Sequence, residues 1–127
     1  CALPILLQWF VSINLIPNVL SINLLADEAH LSCLEFLHSN YNLLPDTDGA
    51  NWAAETGHLF ILKWLAERNV FPDFAGANSA ARNDHLDILN WLAEYNILPV
   101  GELYIKNPVI IDWLKQRGLY TEMEQDL

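Results

Sequence analysis

The sequence predicts an all-α solenoid of stacked helix–turn–helix units joined by short connectors. Three observations carry that prediction. "GHLFILKWLAERNVFPD" (57–73) is rewritten in step as "DHLDILNWLAEYNILPV" (84–100). Histidine, aromatic and proline markers recur at a fixed interval along the chain. Within each copy the apolar residues fall at helical spacing, whereas a strand would alternate.

The interval is regular enough to fix the units. The step from proline to histidine is identical three times (17 to 30, 45 to 58, 72 to 85). The step from histidine to aromatic is also constant (30 to 36, 58 to 64, 85 to 91). The aromatics are Trp9, Phe36, Trp64, Trp91 and Trp113, and the first four are followed by Pro17, Pro45, Pro72 and Pro99. That last step is constant too, except for one inserted residue in "LHSNYNLLPD". Self-similarity at fixed period is the mark of a repeat architecture. It divides one domain, 1–127, into a partial unit 1–17, units 18–45, 46–72 and 73–99, a truncated capping unit 100–120 and an acidic tail 121–127.

Each element of a unit has a local reason. In "HLFILKWLAER", Leu59, Leu62, Leu65 and Ala66 stand at i, i+3, i+6 and i+7, the stripe of an amphipathic helix. Gly57 before it suits a tight turn, and Pro72 after it is expected to stop the helix. "GANWAAETG" predicts a shorter helix whose Ala53 and Ala54 admit a close neighbour. Neither helix buries its apolar face alone, so the units must stack. The recurring aromatic is then expected to form a ladder between units, with each buried ring removing roughly 150–250 Å² from water. In the last unit "NPVIIDWLKQRGL" matches the long helix. The step from Pro99 to Asn107 is shorter than that from Pro72 to His85, so the short helix before it is cut down.

Composition bounds the function. Sixteen acidic against six basic residues give a formal charge of −10, which argues against nucleic acid and against an anionic membrane surface. A basic or neutral protein partner fits better. Cys1 and Cys33 form no metal or redox spacing, and no glycosylation sequon is present, so a reducing, intracellular compartment is expected and secretion is not. The segment 1–26 carries no charge over a length that spans a bilayer, yet Pro4, Pro17, Gln8, Asn14, Asn18 and Asn23 interrupt it and the repeat register claims it. The chain begins with Cys1, and we expect sequence upstream of it; "LYTEMEQDL" reads as a polar C-terminus.

"GANWAAETGHLFILKWLAERN" and "GANSAARNDHLDILNWLAEYN" resemble ankyrin repeats, whose pattern runs T-P-L-H-x-A-A-x-x-G-H-x-x-V-V-x-x-L-L. Ala53-Ala54 and Ala80-Ala81 fall on the A-A, Gly57-His58 on the G-H, and Ile61-Leu62 and Ile88-Leu89 on the V-V. The resemblance is specific over 48–99, weaker over 18–47 and half present at the ends. T-P-L-H is absent, with Asn51 and Asn78 in the place of its histidine. The unit, from His58 to the residue before His85, is shorter than the roughly 33 residues of an ankyrin unit. The β-hairpin finger is therefore expected to shrink to a loop. The tryptophan-bearing version is similar to the divergent repeats of large DNA viruses of amoebae, which implies host cytoplasm or a virus particle. Viral members often carry an F-box; none is evident in this chain.

The resemblance implies a non-enzymatic module that docks a protein on its concave face. The exposed positions of the short helices on that face are Leu24, Asp27 and Glu28, then Trp52, Glu55 and Thr56, then Ser79, Arg82 and Asn83. The connectors "PDTD" and "PDFAG" border it, and Trp52 and Phe74 are the expected anchors, because aromatics dominate hot spots. The alternative is a structural component of a larger assembly such as a virus particle, favoured by the uncharged segment 1–26. No cofactor, metal or catalytic residue is expected. His58 and His85, with Asp84, Asp87 and Glu55 nearby, lack a full ligand set, and the resemblance places both histidines in the inter-helix turn. Ser79, His85 and Asp87 sit at spacings the repeat already explains.

Overall fold

The computed structural model describes residues 18–101 and 103–120. Trp9, the partial unit 1–17, most of the uncharged segment and the tail 121–127 lie outside them. The described residues are all-helical: α1 Val19–Asp27, α2 Leu31–Tyr41, α3 Thr47–Thr56, α4 Leu59–Glu67, α5 Phe74–Arg82, α6 Leu86–Glu94 and α7 Pro108–Gln116. No strand occurs among them, and the chain between units runs as a short connector. No helix among them is long and apolar enough to cross a membrane.

The helices alternate in kind. α1, α3 and α5, the first helices of their units, pack directly on one another in that order, and each also packs on the second helix that follows it. The two kinds differ in side-chain size more than in length, since α3 has 10 residues and α4 has 9. The first helices meet through small residues: Ala26 on α1, Ala50, Ala53 and Ala54 on α3, and Ala77, Ala80 and Ala81 on α5 have no exposed surface. Without side chains beyond Cβ, these helices approach closely. The second helices supply the volume, through Leu34 and Leu37, Ile61, Leu62 and Leu65, Ile88, Leu89 and Leu92, and Ile110 and Leu114. The result is one continuous apolar core through the seven helices of the described residues.

Starts and stops follow from single residues. Asp46 and Asp73 cap α3 and α5, their carboxylates accepting from the backbone N–H of Asp48 at 3.0 Å and of Ala75 at 2.9 Å. Asn107 does the same for α7, with Pro108 in the first turn, where a missing N–H costs nothing. Each turn from a first to a second helix uses one left-handed residue, Ala29 (φ 61°), Gly57 (φ 87°) or Asp84 (φ 64°). The next residue, His30, His58 or His85, closes the turn by donating its backbone N–H to Leu25, Ala53 or Ala80.

Proline is not what ends the second helices. α4 and α6 stop at left-handed Asn69 and Asn96, where Val70 donates to the Leu65 carbonyl and Ile97 to that of Leu92. Gly118 plays the same part after α7. Buried Pro72 lies further on, directly before the Asp73 cap, so it opens the next unit. The inserted residue of the first unit goes into α2, which has 11 residues where α4 and α6 have 9 and takes up one residue of the connector as well. In the last unit no helix forms between Glu94 and Pro108 among the described residues, and Leu103 and Ile105 pack on the core instead.

The aromatics occupy equivalent sites but do not stack ring on ring. Trp64 and Trp113 are buried, while Phe36 and Trp91 are half-buried. Three of the rings take cover from the residue four places on. Arg68 lies 4.0 Å over Trp64, Arg117 lies 4.0 Å over Trp113, and the Tyr95 ring is 5.0 Å from Trp91. Between units, His38 meets the Trp64 ring edge-on at 6.0 Å, and Trp113 Nε1 donates to Asn90 Oδ1 at 2.7 Å.

Candidate functional site

The first helices present their outward residues on one side. Leu24 and Asp27 of α1 and Trp52, Glu55 and Thr56 of α3 line a single open groove of about 340 Å³. Positions selected from two successive units therefore meet. Trp52 is half-buried, while Leu24 keeps 44% of its surface exposed.

The other selected residues stand apart from this groove. Glu28 bonds His30 Nε2 at 3.1 Å beyond the end of α1. At the end of α5, the Asn83 cap donates from Nδ2 to the Ser79 carbonyl at 2.8 Å, and Arg82 Nη2 reaches Ser79 Oγ at 3.4 Å. Phe74 is the first residue of α5, 54% exposed, and does not line the groove.

What holds the two walls of each junction in register is not legible from composition. Asn23 Nδ2 donates to Asp46 Oδ1 at 2.8 Å, and its Oδ1 accepts from the Asp46 backbone N–H at 3.0 Å. Asn51 and Asp73 make the same pair, at 3.0 Å and 3.0 Å. Asn78 repeats it against the backbone of Val100 at 3.1 Å and 2.9 Å. The capping aspartate thus also receives the asparagine of the preceding first helix. Gly49 and Gly76 make room: a Cβ would lie 2.5 Å from Asn23 Oδ1 at the first and 2.6 Å from Asn51 Oδ1 at the second.

The histidines have separate partners. His85 Nε2 lies 2.9 Å from the Glu55 carbonyl of the preceding unit, which makes that nitrogen the protonated one. Its ring also fills the space where Gly57 lacks a side chain, since a Cβ there would be 2.6 Å from His85 Cε1. His58 Nδ1 lies 3.0 Å from Thr56 Oγ1, which in turn sits 2.8 Å from the Trp52 carbonyl. A hydroxyl has one proton; given to the carbonyl, it leaves His58 as the donor. Of His30, His58 and His85, only His85 bonds a backbone group through its ring.

Ser79, His85 and Asp87 do not form a relay. His85 is engaged with Glu55, and Asp87 Oδ1 accepts from the Ile88 backbone N–H at 2.9 Å. Among the described residues, no group of three or more His, Cys, Asp or Glu could hold a metal ion. Cys33 is buried and unpaired, and burial raises its thiol pKa above the ordinary value.

Two further grooves lie on the side of the second helices, away from the positions the sequence selects. Lys63, Ala66, Glu67, Trp91 and Tyr95 surround about 310 Å³, with Phe71 5.0 Å from Tyr95. Leu86, Val109, Asp112, Trp113 and Gln116 surround about 220 Å³. The available signal is Tyr95, which stands four places after its tryptophan where Trp64 and Trp113 have arginine.

Set against protein-family models, curated proteins and solved structures, the chain finds no match in any of the three.

Proposed function

We propose that this chain is a solenoid of ankyrin-like repeats that docks another protein on the concave face formed by its first helices, without performing chemistry. One observation carries the reading. These helices combine recurring buried alanines with outward residues that change from unit to unit: Leu24, Trp52 and Ser79 at one position, Asp27, Glu55 and Arg82 at the next, Glu28, Thr56 and Asn83 at the third. Constant packing under a variable surface is what a recognition scaffold needs. Such a surface is pre-organised and loses little freedom on binding. No cofactor or nucleic acid enters this reading, and an intracellular setting suits its cysteines.

The test is capture from the native source, comparing the natural chain with a Trp52→Ala/Phe74→Ala variant shown to be folded by circular dichroism. A protein retained by the first and lost by the second supports docking on this face. Identical recovery by both sinks it. A second reading, a structural component of a larger assembly, draws on α1, where Val19 is 49% and Leu20 54% exposed. Recovery of the same assembly proteins by both versions would favour it.

A further inference from the structure

We infer that the Trp52 groove is a receptor for a cationic side chain, a lysine or arginine carried by the protein partner. The inference rests on the docking reading above and names what that face recognises.

Three features of the groove converge on a cation. The first is the pair of carboxylates on its two walls, Asp27 from α1 and Glu55 from α3. They occupy the same position in successive units, so the stacking that brings α1 against α3 brings them to one opening. The second is the absence of an internal counter-ion. Among the described residues the ion pairs are His30 with Glu28 and Arg68 with Glu67, and neither involves these two carboxylates. The third is Trp52, a half-buried indole lining the same space, which attracts an ammonium or guanidinium through its ring face. Exposed Leu24 offers the apolar surface along which the methylenes of a lysine or arginine pack while its charge stays near water.

The character of the groove is local, which separates it from the general acidity of the chain. At the position of Asp27 and Glu55, the third unit carries Arg82. A basic partner therefore meets two carboxylates at the first junction but a carboxylate set against an arginine at the second. This sign change fixes where along the face the cation sits. The groove beside Trp91 does not share the chemistry, because Lys63 lines it together with Glu67.

The test uses four acetylated peptides identical except at the centre, where they carry lysine, arginine, norleucine or glutamate between two leucines. Binding to the whole chain is followed through the indole N–H resonances of its five tryptophans, with Trp52 assigned by Trp52→Phe. The lysine and arginine peptides should move the Trp52 resonance saturably and bind about tenfold tighter than norleucine at low salt, a gap that added salt narrows. Glu55→Gln, at an exposed side chain, should lose most of that gap, and Asp27→Asn should act in the same direction.

Equal binding of norleucine and lysine at Trp52 would overturn the cation inference and leave an apolar docking groove, with the docking reading intact. Binding of neither, while captured partner is still lost in Ser79→Ala/Arg82→Ala, would also overturn it and move recognition to α5. If capture is also indifferent to every variant on the first helices, the docking reading falls as well.

Discussion

Asn51 and Asp73 exchange two hydrogen bonds across a junction between units, one from the amide nitrogen to the carboxylate and one from the Asp73 backbone to the amide oxygen, each 3.0 Å. The carboxylate oxygen involved also caps α5 through Ala75. Asn51→Ala removes both bonds and should cost about 2–3 kcal/mol, since bonds to a charged acceptor exceed the ordinary ~1 kcal/mol. The urea midpoint measures this. A loss below about 0.5 kcal/mol would mean that alanine packing alone sets the register.

Gly76 and Gly101 make a controlled pair. A Cβ on Gly76 meets Asn51 Oδ1 at 2.6 Å and Pro72 Cβ at 2.9 Å, whereas one on Gly101 meets nothing within 4 Å. Gly101 has φ +88°, so alanine there bears only conformational strain of about 1 kcal/mol. Gly76→Ala must displace the clasp and should cost about 2–3 kcal/mol. Parallel thermal melts decide it: equal losses would show that Asn51 gives way freely.

Trp64 and Trp113 occupy equivalent sites but differ at the indole nitrogen. Trp113 Nε1 donates to Asn90, while Trp64 Nε1 is buried with no partner. Trp113→Phe should therefore cost about 1 kcal/mol more than Trp64→Phe, the net worth of the lost bond. Trp64→Ala, which empties the site, should cost about 3–5 kcal/mol. Phe74→Ala, more than half exposed, should cost less than about 0.5 kcal/mol. Chemical denaturation of the four variants gives all these differences, and a Phe74 loss matching that of Trp64 would place Phe74 in the core.

Ala29 holds a left-handed conformation that its counterpart Gly57 adopts without strain. Ala29→Gly should stabilise the chain by about 0.5–1 kcal/mol, the relieved strain exceeding the added unfolded-state freedom. A lower melting temperature would show that the Ala29 methyl packs usefully on the core.

Cys33 is fully buried, and its burial raises the thiol pKa. The fold favours the neutral thiol, so this contribution is complete below the ordinary value of 9.0 and is lost as pH rises through the higher folded value. In a Cys1→Ser background, labelling by a thiol reagent at mildly alkaline pH should be slow and limited by opening of the chain. Labelling as fast as that of a small free thiol would place Cys33 at the surface.

The helices are legible because units 46–72 and 73–99 are near copies, and because Leu62 and Leu65 recur on one face whatever the rest of the unit does. The helix stops are not. Asn69 is an ordinary loop residue until its φ of 65° is seen, and Pro72 is the more conspicuous breaker. The asparagine clasp is hidden for another reason. Its partners are 22 or 23 residues apart, in different units, and no local pattern links an asparagine to the next capping aspartate. For the groove, sequence places Asp27 and Glu55 in equivalent positions, but only the packing of α1 on α3 joins them with Trp52. Phe74 shares aromatic character with Trp52 but opens α5, away from that groove.

Because the same clasp closes two successive junctions, chain length becomes a quantity that changes in whole steps. Excision of residues 46–72 joins Pro45 to Asp73; Asn23 then faces an aspartate again, with Gly76 beneath it where Gly49 had been. His85 alone must resettle, because Ala29 then stands where Gly57 had left room for its ring. Such an excision keeps the clasp matched and leaves one histidine to adjust, whereas duplication of 46–72 adds a unit whose Gly57 still has room for the next histidine. The stack can thus gain or shed one unit at a time with its alanine packing and its clasp intact.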